Sequence, residues 1–173
     1  MADSSSQPIS FPQAISRTQS LIEQIDREEI SETEIQNQVA SFLESKNGGR
    51  GFFVAYLTSE ISLADRPSSG IIGGLKAAKQ FSSELLVKNL AMSAAMIVVH
   101  NRNSDFESML GSERVYRRTR NLIQQLNLQP IKKKLQQLKT TIENGEGEYQ
   151  HFLQRWNYDI EQKESILNAI ESL

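Results

Sequence analysis

The run His100-Asn101-Arg102-Asn103-Ser104-Asp105 is the densest set of side chains in the chain that could do chemistry. A histidine near an aspartate can move protons as a general acid–base pair, and an arginine such as Arg102 can hold a carboxylate or phosphate. The same residues also suit ordinary helix ends. His100 and Arg102 would complement the negative C-terminus of one helix, while Asn103, Ser104 and Asp105 would cap the next. The capping reading is the favoured one.

A second group lies at Arg66-Pro67-Ser68-Ser69-Gly70. Backbone N–H groups at a helix start favour an anion, and Arg66 stands beside them; an ordinary N-cap is the simpler expectation. Arg50, Glu60, Arg66, Ser68, Ser69, His100, Arg102 and Asp105 would be the polar groups of a pocket walled by residues 52–61 and 85–100. That is the alternative reading, a small ligand-binding bundle or enzyme.

Other chemistries fail on spacing. Gly70-Ile71-Ile72-Gly73-Gly74-Leu75-Lys76 lacks the spacing and hydroxyl of a phosphate-binding loop, and the dinucleotide pattern begun at Gly49-Arg50-Gly51 stops at Val54. The chain has two histidines, His100 and His151, and no cysteine. Glu148-x-x-His151 has no second copy, as a carboxylate-bridged site in a bundle would need. The reading therefore carries no catalytic residue, metal or cofactor.

Charge is the sharpest quantitative signal. Arg114 to Lys139 holds eight basic residues and no acid: Arg114, Arg117, Arg118, Arg120, Lys132, Lys133, Lys134 and Lys139. Removing that +8 from the net charge of -2 leaves -10 on the rest. Such asymmetry points to an anionic partner, or to acidic helices of the same chain such as the one bearing Glu28, Glu29, Glu32 and Glu34. Arg114, Arg117, Arg118, Lys132, Lys133 and Lys134 are the candidate partner-binding residues. An acidic protein surface fits better than nucleic acid, because only Tyr116 interleaves with the bases.

The elements that must position these groups read as helices. Ser10 and Pro12 open one that runs to about Arg27, and Ser31 with Glu34 forms a capping box for the next. Asn47-Gly48-Gly49 reads as the end of that second helix. Phe52 to Leu63 fits either a strand or a helix, and a helix is preferred for want of a partner strand. A long central helix is expected over 71–100, with Leu85, Met92, Met96 and Val99 in its buried seam. Ser104 and Glu107 suggest a second capping box, Pro130 a restart, and Gly145–Gly147 a break. Tyr149, Phe152, Trp156, Ile160, Lys163, Leu167 and Ile170 then follow coiled-coil spacing.

These segments predict an all-α, single-domain helical bundle of about six helices over 10–173. A disordered tail is expected over 1–9 and a C-terminal helical hairpin over 131–173. At 173 residues, 38% hydrophobic and with a mean hydropathy of -0.44, the chain suits a soluble protein. Its start lacks a signal-peptide layout, and its longest apolar run, Leu90–Val99, is ten residues against about 20 for a membrane span. The expectation is a cytoplasmic, non-catalytic interaction or adaptor protein without a transmembrane segment. It would bind an acidic partner, or dimerise through 149–173.

Overall fold

Short polar side chains start six of the helices. Ser10, Ser31, Ser45, Ser68, Asp105 and Asp159 each accept a hydrogen bond from a backbone N–H of the first turn, satisfying a donor that helix geometry leaves open. The structure, a computed structural model, describes residues 8–173. Of the tail expected over 1–9, residues 1–7 lie outside the described residues. Among the described residues there are nine α-helices, one 3-10 turn and no strand. The all-α expectation holds, with more and shorter helices than six. By its internal contacts the chain falls into two compact units, residues 1–78 and 79–173.

The first unit contains α1 (Phe11–Asp26), α2 (Glu32–Phe42), α3 (Lys46–Thr58), a 3-10 turn (Ser62–Asp65) and α4 (Ser69–Ala77). α1 packs on α3, and α2 packs on α4. Phe52 anchors the aromatic core, stacked on Phe42 at 5.9 Å and on Tyr56 at 5.3 Å, and edge-on to Phe53. Of the span 52–63 read as helix, 52–58 lies in α3, whereas 59–61 is not helical and Leu63 falls in the 3-10 turn. Asn47-Gly48-Gly49 does not end α2, however. Ser45 caps α3, and the two glycines are buried in its first turn. Gly and Asn fit a helix end by their backbone freedom, but here absent side chains are what the packing uses.

The second unit contains α5 (Lys79–Arg102), α6 (Phe106–Leu126), α7 (Gln129–Asn144), α8 (Gln150–Trp156) and α9 (Ile160–Glu171). α5 is its centre, with α6, α7 and α9 packed on it. The long helix expected over 71–100 is therefore two helices, and the backbone leaves helical geometry at Ala78. Alanine is the best helix former, so tertiary packing rather than propensity imposes that break. The cap of α6 is Asp105, not Ser104, which adopts φ 54°. Pro130 sits in the first turn of α7, and left-handed Gly145 ends that helix, both as expected.

The seam expected over 149–170 is interrupted. Asn157 turns left-handed with φ 48°, so α8 and α9 point their faces independently. Tyr149, Leu153, Tyr158, Gln162, Ile166 and Ala169 are buried, whereas Trp156 and Ile160 are exposed. By length and composition α5 could cross a membrane, with a hydropathy of 1.4 over its best window, but half of that window is buried, as in the core helix of a soluble protein. The ten-residue apolar run Leu90–Val99 understates this length, because isolated polar residues interrupt the helix's apolar sequence.

Candidate interaction surface

The helix start at Ser68–Gly70 is capped from within, by Ser68 and by a carboxylate of the protein itself. Glu32, at the start of α2, accepts hydrogen bonds from the Gly70 N–H and, at 3.2 Å, from the Ser69 hydroxyl at the start of α4. Desolvation opposes ionisation of this carboxyl, yet the bonds from Gly70, Ser68 and Ser69 together hold it below its ordinary 4.5. The remaining first-unit candidates do not join it. Arg50 lies over the Phe11 ring at 5.3 Å, and Glu60 and Arg66 are exposed on either side of the 3-10 turn. A groove of about 490 Å3 in this unit is lined by other residues of α1 and α2, Arg17, Gln24, Asn37 and Ser41 among them.

The His100–Asp105 cluster likewise serves helix ends. Arg102 lies 2.6 Å from Asp159 Oδ2, and its Nε donates to Glu161 Oε2 at 2.9 Å. It thereby ties the C-terminus of α5 to the N-terminus of α9. These bonds raise the Arg102 pKa, and Arg102 together with the hydrogen bond donated by the Gln162 N–H lowers that of Asp159. The Asp105 carboxylate accepts from Ser108, which lowers its pKa, and His100 Nδ1 stands 3.8 Å from it. Arg50, Glu60, Arg66, Ser68 and Ser69 thus belong to the first unit and His100, Arg102 and Asp105 to the second. Neither unit assembles its members into the pocket of the alternative reading.

The basic stretch is not one patch. Arg118 is only 2% exposed, so it cannot share a solvent-facing surface with Arg117. Arg114, Arg117 and Arg118 are all already engaged in contacts. Arg120 donates to the Ser172 carbonyl, Lys134 pairs with Glu84 at 2.9 Å, and Lys139 pairs with Glu171 at 3.0 Å. Lys132 and Lys133 remain exposed on α7.

One polar centre escaped the sequence. Glu84 takes Lys88 and Lys134, each at 2.9 Å, and a hydrogen bond from the Tyr149 hydroxyl at 3.1 Å. Burial opposes its ionisation, but the two lysines hold its pKa below the ordinary value; burial and then Glu84 push the Tyr149 phenol up. Only the Glu84–Lys88 spacing was legible, since Lys134 and Tyr149 arrive from other helices.

The largest departure concerns α5. Its buried residues include Ser82, Ser83, Leu86, Val87, Leu90, Ala91, Ala94 and Ala95. At about 100° per residue these fill one broad arc of the helix, and Leu85, Asn89, Met92, Met96 and Val99 fall on the opposite arc. That opposite arc is the seam expected to be innermost. Instead Leu85, Met92 and Val99 are half-buried, and Met96 is 37% exposed. Buried Ser82 and Ser83 bond back to the Lys79 carbonyl, which is why serines are tolerated on the inner face. The outer face is an apolar stripe broken by Asn89, without a charged residue between Lys88 and His100. Elsewhere in the unit Phe106 and Leu110 stand exposed one turn apart on α6.

Residues 10–173 match the family described as Uncharacterised conserved protein UCP020893, and the chain belongs to that family. No curated protein and no solved structure matches it.

Proposed function

We propose that this is a non-catalytic helical interaction protein, acting in the cytoplasm and binding through an outward helix face. The observation that carries the reading is the apolar outer stripe of α5. A helix apolar on all sides belongs in an enclosed setting, and here α6, α7 and α9 cover only one arc of it. A half-buried apolar stripe whose most exposed member is Met96, at 37%, is the kind of surface that a partner can cover. The side chains best suited to chemistry are, by contrast, spent on internal joints: Glu32 on α4, Arg102 on α9, and Glu84 on two lysines. An acidic partner would meet the second unit at Lys132 and Lys133, which are exposed.

Capture by the immobilised full chain tests this. Met92→Glu with Met96→Glu should lose bound protein, a second copy of the chain included, while keeping the helical circular dichroism of the parent. Lys132→Glu with Lys133→Glu should lose only acidic, salt-sensitive partners. If both variants bind what the parent binds, the interaction reading is wrong.

A further inference from the structure

We infer that the outer stripe of α5 is covered by the same stripe of a second copy, running antiparallel across a two-fold axis near Met92. The inference rests on the interaction reading and adds the occupant. The first argument is self-complementarity. A two-fold interface matches one surface against itself. Leu85 and Val99 stand seven residues to either side of Met92, so antiparallel pairing sets Leu85 against Val99 of the second copy and Met92 against its own counterpart. From Leu85 to Val99 the stripe runs about 21 Å at 1.5 Å per residue. Methionine side chains adapt their shape to irregular neighbours, which suits the centre of such a contact.

Charge supplies the second argument and selects the direction. Around the start of α5, Lys79, Lys88 and Lys134 outnumber Glu84 and Glu148. Around its end, Asp105, Glu107, Asp159 and Glu161 outnumber Arg102 and Arg155. One end of the stripe is therefore net positive and the other net negative. Parallel pairing would bring like ends together, whereas antiparallel pairing sets each end against its opposite, twice over. Such complementarity fixes orientation and register. A protein of different sequence would have to reproduce both the apolar run and this charge order, and a second copy carries them already.

Light scattering across a concentration series reads the mass of the intact chain. The parent is expected to be dimeric at tens of micromolar, and its dissociation constant should rise at least tenfold between 0.1 M and 1 M salt. Met92→Glu should be monomeric with unchanged circular dichroism, and Leu110→Glu, outside the stripe, should remain dimeric. The chain has no cysteine, so Met92→Cys provides a second readout independent of that variant's folding. Mild oxidation should join two copies through Cys introduced at 92, and the same change at Leu110 should not. A monomeric parent overturns the dimer. If that monomer nonetheless loses captured protein on Met92→Glu, the interaction reading survives with a different occupant; if capture is unchanged, both fail. A dimer that persists in Met92→Glu and disappears in Ile160→Asp places the contact in 149–173 and also overturns the inference.

Discussion

Glu32 closes the start of α4 with a carboxylate from 38 residues away. The anion-seeking character of Ser68-Ser69-Gly70 was legible, because it is a local property of a helix start. The identity of the anion was not, because sequence spacing carries no information about which helix lies opposite. Glu32→Gln should destabilise the protein by about 0.3–1 kcal/mol at neutral pH, the usual range for a charge at a helix terminus. The pH sign follows from the lowered pKa. The contribution is fully present above the unfolded value and is lost as pH falls through the folded one. Urea melts at pH 7, 5 and 3 should therefore show parent and variant converging in acid. Arg118 gives the opposite lesson to its neighbours in the basic stretch. Buried as it is, Arg118→Glu should cost about 3–5 kcal/mol by placing the wrong charge inside. Lys132→Glu with Lys133→Glu should change stability by less than about 0.5 kcal/mol each. Thermal melts separate the two cases.

Helix starts were the most readable elements, since a capping box such as Ser31–Glu34 needs only neighbours in sequence. Helix faces were less so. α5 is apolar on nearly every side, leaving no polar stripe to say which way it turns, and the 3-4 spacing of Leu85, Met92, Met96 and Val99 selected the outer arc. The break at Ala78 carries no turn residue and only packing reveals it, whereas the left-handed turn at Asn157 had a local signal in the asparagine itself, masked by the coiled-coil spacing that runs across it. Glycine shows the same dependence on context. A methyl group on Gly51 would fall 2.5 Å from Ala14 Cβ on α1, and one on Gly74 would fall 2.6 Å from Val39 Cβ on α2. Gly51→Ala and Gly74→Ala should each cost about 1–3 kcal/mol, the range for overpacking. Gly111 on α6 has open space around its Cβ position, so Gly111→Ala should stabilise by about 0.5–1 kcal/mol through helix propensity. Chemical melts of the three variants check both the signs and the α1–α3 and α2–α4 contacts.

For the whole molecule, the all-α class was legible from helical periodicity, while the division at residue 78 was not, because the apolar block 51–105 runs straight across it. The functional reading changed in the same way. Its basic residues largely serve the protein's own joints, and the surface proposed for a partner is the stripe that sequence placed in the core. A self-associating chain should also gain thermal stability with concentration, since anything that binds only the folded form raises its midpoint. Scanning calorimetry at about tenfold spaced concentrations should show a rising midpoint for the parent and a constant one for Met92→Glu. All of this depends on which face of α5 looks inward, and paired urea melts of Leu90→Asp and Met92→Asp, at a concentration low enough to keep both monomeric, test that face most directly. The structure buries Leu90 completely and leaves Met92 on the outer arc. Leu90→Asp should cost more than about 4 kcal/mol or abolish folding of the second unit, as a buried unpaired carboxylate does, and Met92→Asp should stay within about 1 kcal/mol of the parent. The reverse order, with Met92→Asp the severe change and Leu90→Asp the mild one, would put the stripe back in the core and contradict the account.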